Sequence, residues 1–567
     1  MNSSTSTTQD PSTGTLDESV LQDVAHLLGL PEFDAARIDP GTLATLTSKR
    51  NSPEETATRL RRYLQHLLEH PVSRVPDRSE LWRTMLEHCD RLTPLQAYTM
   101  RNLMGAASNM GYDPMPAEVH LEFPRADQVD LGAQCGWHFL VGSLWDADGN
   151  EYGIEFMLFE QAMYPPAFAK ELGLSPLDNL AVEVQFAIST RGDRHHQAEP
   201  LVTLGTSGLV RTNASPFAFS VGANSFESAG RDALLPMRAR ATGVDLGGDT
   251  PLHLACDLQL DHGKGVLEQG EHGAMPSVAG VGTFYYSIPA IQLSTATGAD
   301  GEPASTITID GNVIPIVRGE LWFDHQWGFL AGMPQSEVVR ASNSIGEPDP
   351  AGWDWFMTHL DGDRQVTMFA EHRAEYAAFY GQTGQEPPPE MVRRVGGTYM
   401  HPTGDTHLVW GTVHVDKWVK VEHTPRPDRY PATHTWHPDH YRFEFDDLPE
   451  DIRTFTLTPI VEGGQSAFFA HGIQICEGAV VVRDADGNDI GRGFAEAVAF
   501  ADTLRNQLRL AGLPDDDAMV ALAAEPVPSP ELAAANAAYV AEHQDDLAQV
   551  VAQAKGLQFF IDPDPTA

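Results

Sequence analysis

The chain has 567 residues, too many for one compact core, and its 42% apolar content with 8% aromatics is ample for burial. Asp and Glu total 79 against 37 Lys and Arg, a formal net charge of -42, which argues against nucleic acid or an anionic membrane surface as partner, since both are gripped through basic patches. Cys89, Cys135, Cys256 and Cys476 have no CxxC spacing, which leaves neither a zinc site nor a small disulfide scaffold.

In chain order, residues 1–15 form a polar tail without the charged and apolar regions of a signal peptide. With no apolar run of about 18 residues anywhere, the expectation is a soluble, cytoplasmic protein without a membrane-spanning segment. Val20, Leu21, Val24, Leu27 and Leu28 recur at helical spacing and stop at Gly29. Ser52-Pro53-Glu54-Glu55 opens a second helix through a capping box, and Thr93-Pro94-Leu95-Gln96 repeats the device. Residues 16–116 therefore read as a helical N-terminal module.

Short apolar runs punctuated by turn residues follow. GWHFLVGSLWDADGNEYGIEFMLFE predicts two strands, Trp137 to Leu144 and Tyr152 to Phe159, joined by a turn at Asp146 to Asn150. Further strand-length runs with little helix between them favour antiparallel sheets closing into a barrel or sandwich over 117–380. Three prolines at 387–389 mark a linker or irregular loop, a second β domain is expected over 381–502, and 503–567 returns to helix.

Chemistry concentrates in RGELWFDHQWG (318–328) and GWDWF (352–356). Strand alternation puts Phe323, His325 and Trp327 on one face, with Trp322, Asp324 and Gln326 on the other. It likewise separates Asp354 and Phe356 from Trp353 and Trp355. A carboxyl in so apolar a strand is costly to bury ionised, so Asp354 is expected to hold a proton near neutral pH, as a general acid must. Asp324 is expected to anchor structure between domains.

TFYYSIP, an ID-G-N hairpin, WFDHQWG and GWDWF together resemble the bacterial carotenoid 1,2-hydratase (hydroxyneurosporene synthase) family and the related AttH-like proteins, over roughly 120–500. GWHFLVGSLWDADGNEYGIEFMLFE is similar to that family's early strand pair, and RGFAEAVAF, reaching Glu496, to its closing strand. The resemblance implies a mainly β fold of two tandem lipocalin-like antiparallel β-barrel domains with helical extensions at both ends, and a ligand site in or beside the first barrel. It transfers functional roles to His325, Trp327 and Asp354. The family's Tyr two residues before that Asp is Gly352 here, so Tyr285 or Tyr286 is the alternative phenol. Trp137, His138, Phe323, Trp353 and Trp355 complete the expected lining.

The expected chemistry needs no metal or cofactor. Asp354 protonates an isolated alkene of a small lipophilic, isoprenoid or carotenoid-like substrate, aromatic faces stabilise the cation, and His325 assists water attack. A cyclase or isomerase using the same acid, and a non-catalytic lipophile carrier, are the alternatives. His434, His437 and His440 in HTWHPDH do not make a metal site, because Pro438 breaks any continuous helix and no ligand spacing is completed. His195-His196 reads as a loop pair. There is no GxSxG elbow, P-loop or Rossmann fingerprint.

Overall fold

The computed structural model describes residues 16–71, 75–109, 111–112, 119–270, 272–276, 282–294, 297, 301, 303–329, 350–373, 392–421, 435–463, 465–498, 503–524 and 529–542. The N-terminal tail, the prolines at 387–389, His434 and the end of the C-terminal helix lie outside the described residues. The chain begins with α1 (Glu18–Leu27), α2 (Pro40–Leu46), α3 (Pro53–Glu69), α4 (Ser79–Glu87) and α5 (Pro94–Leu103). Both N-caps are formed, and the reciprocal box is complete at Thr93. Ser52 Oγ accepts from the Glu55 amide at 3.2 Å, and Thr93 and Gln96 cap each other's backbone at 3.2 and 3.0 Å. α2 is an addition to the sequence reading, since its seven residues are too few to repeat an apolar stripe.

The first sheet contains β1 (Cys135–Asp146), β2 (Glu151–Ala162), β3 (Leu180–Thr190), β4 (Arg194–Gln197), β5 (Leu201–Leu204), β6 (Val210–Ala214), β7 (Phe217–Val221), β8 (Asn224–Ser228), β9 (Met237–Asp245), β10 (Leu252–Leu260), β11 (Leu267–Glu268), β12 (Ala274–Pro276), β13 (Gly282–Ile291), β14 (Ser305–Ile309) and β15 (Asn312–Phe329), with α6 (Pro166–Glu171) between β2 and β3. Its main path runs β4-β3-β2-β1-β15-β14-β10-β9-β8-β7-β6, a half-barrel in which β15 also pairs with β13.

The second sheet contains β16 (Pro350–Leu360), β17 (Arg364–Arg373), β18 (Val392–Met400), β19 (Thr406–Val421), β20 (Thr435–Phe445), β21 (Thr454–Pro459), β22 (Ser466–Phe468), β23 (Gln474–Asp484) and β24 (Asp489–Val498). Pairing of β21 with β23 closes eight of these strands into a barrel. Sheet membership therefore changes between Phe329 and Pro350, not at the 380/381 boundary expected from the sequence. The GWDWF strand belongs to the second barrel.

After β24 come α7 (Leu504–Leu510), α8 (Asp517–Ala523) and α9 (Pro530–Glu542). α7 and α8 join the N-terminal helices in one layer: Leu508, Leu510 and Met519 pack with Leu64, Trp82 and Tyr98 and with Met163 and Phe168. Buried Arg101 donates to the Met163 carbonyl at 3.0 Å, fastening this layer to the end of β2. The two helical extensions are thus one element of packing.

Strand alternation divides the β residues among three cores. Leu140, Phe156, Phe323 and Trp327 face the interior of the half-barrel. Phe356, Val366, Tyr441 and Phe443 fill the closed barrel. Phe139, Val141, Met157, Trp322, Trp355, Met357, Ala479 and Phe494 form a layer between the two sheets. The sheets approach so closely that a Cβ on Gly153 of β2 would lie 2.7 Å from Ala479 Cβ of β23. With a formal charge of -42, the fold works against its own repulsion. Raising salt from about 0.05 to about 1 M is expected to lift the melting temperature by several degrees, read by circular dichroism, because charges beyond about 3 Å are then screened.

Candidate functional site

The half-barrel receives one group of the expected site residues. His325 on β15 is fully buried between rings, stacked on His138 at 3.9 Å and on Trp327 at 4.4 Å between centroids. Phe217 extends the stack beyond His138 at 5.3 Å, and Phe284 extends it beyond Trp327 at the same distance. Both imidazole nitrogens of His325 meet backbone carbonyls, Trp137 at 3.0 Å and Gln128 at 3.2 Å. Burial pulls its pKa down to about 4 against the help of those carbonyls. A neutral ring can donate to one carbonyl only, and its lone pair then faces the other. Such a ring is a core fixture, poorly placed to accept a proton from water. Tyr286 donates to Asp127 at 2.7 Å in the same core, and Phe323 packs beside His138.

Asp354 lies elsewhere. It points into the closed barrel with Phe356, on the opposite face of β16 from Trp355, as alternation required. There it is ion-paired with Arg393 of β18, both side chains being fully buried. Burial raises its pKa and the guanidinium opposes the rise. The structure therefore does not bring Asp354 and His325 together. They occupy different cores, because β15 and β16 belong to different sheets.

The remaining expected residues, Trp137, Trp353, Trp355 and Tyr285, converge on the layer between the sheets. Asp324 sits there as the anchor expected of it, accepting from Trp322 Nε1 at 2.7 Å, from the Tyr285 hydroxyl at 2.7 Å and from Ser287 Oγ. Gln269 donates to both Ser287 and Thr367 of β17, at 2.8 and 2.9 Å, so the network crosses to the second barrel. Burial lifts Asp324 to about 7 despite its three donors.

Around this point the layer contains acids that sequence reasoning missed. Glu155 of β2 and Glu477 of β23 are buried, and Glu496 of β24 is partly exposed. Glu477 and Glu496 are directly opposite in the β23–β24 register. Burial pushes all three upward, and the neighbouring carboxyls add to the rise of Glu477 and Glu496. Glu496 accepts from Trp353 Nε1 at 2.8 Å. Trp353, Trp137 and Phe469 are partly exposed and form an aromatic rim over it, with Phe159 stacked on Trp137 at 6.0 Å. The signal for these acids was present in the chain: IEF, CEGAVVV and FAEAVAF each carry a lone Glu in an apolar strand.

His437 is buried in its strand, and His440 lies 2.8 Å from Asp439. Asp439, His440 and Glu462 come close enough to hold an ion, but the Lys417 ammonium already contacts Glu462 and lies 3.8 Å from Asp439. His196 pairs with Asp245 at 3.0 Å and His195 with Ser189 at 2.9 Å. Among the described residues, no helix is long and apolar enough to cross a membrane.

Residues 114–388 match the family model described as AttH-like. No curated protein matches the chain. Among solved structures, the chain is similar to a putative AttH from Nitrosomonas europaea, at 19% identity over 69% of this chain and 100% of that one, with a TM-score of 0.49. It is also similar to kievitone hydratase from Nectria haematococca, at 13% identity over 68% of this chain and 98% of that one, with a TM-score of 0.42. The AttH-like segment contains Glu155, Asp324 and Trp353 and stops short of Glu477 and Glu496.

The buried acids make stability depend on pH in an unusual sense. A carboxyl whose folded pKa exceeds its unfolded value takes up protons on folding, so stability falls as pH rises between the two values. Buried histidines pulled down to about 4, such as His325 and His471, act oppositely but only below about pH 6.5. From pH ~6.5 to ~8.5 stability is therefore expected to fall, by up to about 1.4 kcal/mol per pH unit for each proton lost, and the melting temperature with it. Glu477→Gln should flatten that slope, and thermal scans across the window check it.

Proposed function

We propose that the chain is a cofactor-independent hydratase-like enzyme that adds water to an isolated C=C bond of a small lipophilic, isoprenoid-like substrate in the layer between the two sheets. The observation that carries this reading is Glu496: a partly exposed carboxyl pushed up by burial, held by the Trp353 indole at 2.8 Å and overhung by aromatic faces. The AttH-like match and the resemblance of the two tryptophan motifs to hydratases support the same class.

In the proposed reaction the Glu496 O–H bond breaks and its proton forms a C–H bond with the alkene, leaving a tertiary carbocation. The faces of Trp137, Trp353 and Trp355 stabilise that cation, each by up to roughly 2 kcal/mol when desolvated. Water then forms the C–O bond, and the surplus proton of the resulting oxonium returns to the Glu496 carboxylate. Tyr285 donates to Asp324 at 2.7 Å and acts through that network. His325 acts through packing, and Asp354 through its buried ion pair with Arg393.

Incubation with acyclic isoprenoids in deuterated water, followed by mass spectrometry, tests the reading. The expected product gains water and one carbon-bound deuterium. Deuterium without water would replace hydration by isomerisation or cyclisation, and unchanged retained ligand would replace it by a carrier role. Glu496→Gln is expected to lower turnover by about 10²- to 10⁴-fold while the protein stays folded. Asp354→Asn, which removes the carboxylate of a fully buried ion pair with Arg393, is expected to cost about 3–5 kcal/mol of stability without moving the pH profile of the remaining activity.

A further inference from the structure

Glu155 and Glu477 take no part in the proposed reaction, yet each is a buried acid facing the same layer as Glu496. Glu477 is the direct cross-strand neighbour of Glu496, and side chains so related stand about 5 Å apart at Cβ. Glu155 faces Glu477 from the other sheet, on β2 packed against β23. The other titratable groups acting on the three are also acids: Asp324 from β15, Glu183 from β3, and Asp354 from the far face of β16. Among the described residues, no Lys, Arg or His is ion-paired with Glu155, Glu477 or Glu496. The nearest cations on their own strands are Arg492, which with Arg191 is paired to Glu151, and Arg483, paired to Asp489.

We propose that Glu155 and Glu477 are positioning residues for Glu496, and that the three carboxyl groups, gathered from two sheets without a cation among them, share protons so that the rim group is kept as the acid. Like charges so close and so desolvated cannot all ionise, so the trio retains protons at pH values where a lone carboxyl would have lost its own. The two buried members hold the reserve. The exposed member meets the rim, and its neighbours keep it protonated until the substrate alkene takes its proton. This inference rests on Glu496 being the acid of the proposed reaction, but the coupling itself is measurable without any substrate.

Trp353 supplies the probe, because its indole donates to Glu496, and its emission is expected to change when that carboxyl ionises. The Trp353 signal is isolated from the nine other tryptophans by subtracting a Trp353→Phe titration. In the wild-type protein the emission midpoint is expected above the ordinary carboxylate range. Glu155→Gln and Glu477→Gln are each expected to lower it by at least about one pH unit. Glu155→Gln is the more telling variant, since it acts from the opposite sheet and leaves the cross-strand pair intact. A wild-type midpoint near that of a free Glu, or one unmoved in both variants while circular dichroism reports intact folds, would overturn the proposal. A shifted midpoint in a protein that incorporates no deuterium would retain the coupling and discard the hydration.

Discussion

Carboxyl groups buried between two sheets without cations can remain there only as acids, and this constraint organises the molecule. Ionising Glu155 or Glu477 in place would cost several kcal/mol. The layer that encloses them is built to keep water out: Gly153 lets β2 approach Ala479, and Trp322, Trp355, Phe139 and Phe494 fill the space around the acids. Trp137, Trp353, Phe469 and Glu496 keep some exposure at the margin of this layer, as does Phe369 of β17.

The remaining architecture holds the two sheets in that relation. Two hairpins, β1–β2 and β23–β24, pack against each other, and both turn through the same DADGN pentapeptide, at 146–150 and 484–488. In each turn the leading Asp accepts from two backbone amides and the Asn side chain, so the same local chemistry ends both hairpins. At the far side, Glu183 of β3 accepts from Tyr98 of α5 at 3.2 Å and from the Ala470 amide at 2.6 Å. One carboxyl thereby links the helical layer, the half-barrel and the loop that bears Phe469.

The sequence made the strands and the face of each side chain legible, since alternation is local. Phe323, His325 and Trp327 do share a face, and Asp354 does oppose Trp355. It did not reveal which core each face borders, because that depends on which strands are neighbours, and β15 and β16 join different sheets across 330–349. An acid and a base only 29 positions apart thus read as one site from the sequence, although one belongs to the half-barrel and the other to the closed barrel. Glu155, Glu477 and Glu496 were visible as single charges in apolar strands. Their convergence was not, since Glu155 meets the Glu477–Glu496 pair across more than 300 residues of chain.

The most direct test of where the chemistry resides is a crystal structure of the protein soaked with an acyclic isoprenoid carrying a heavy atom. The account predicts its density at the rim, against Trp137 and Trp353 and within reach of the Glu496 carboxyl. Density beside His325 in the half-barrel, or beside Asp354 and Arg393 in the closed barrel, would contradict it.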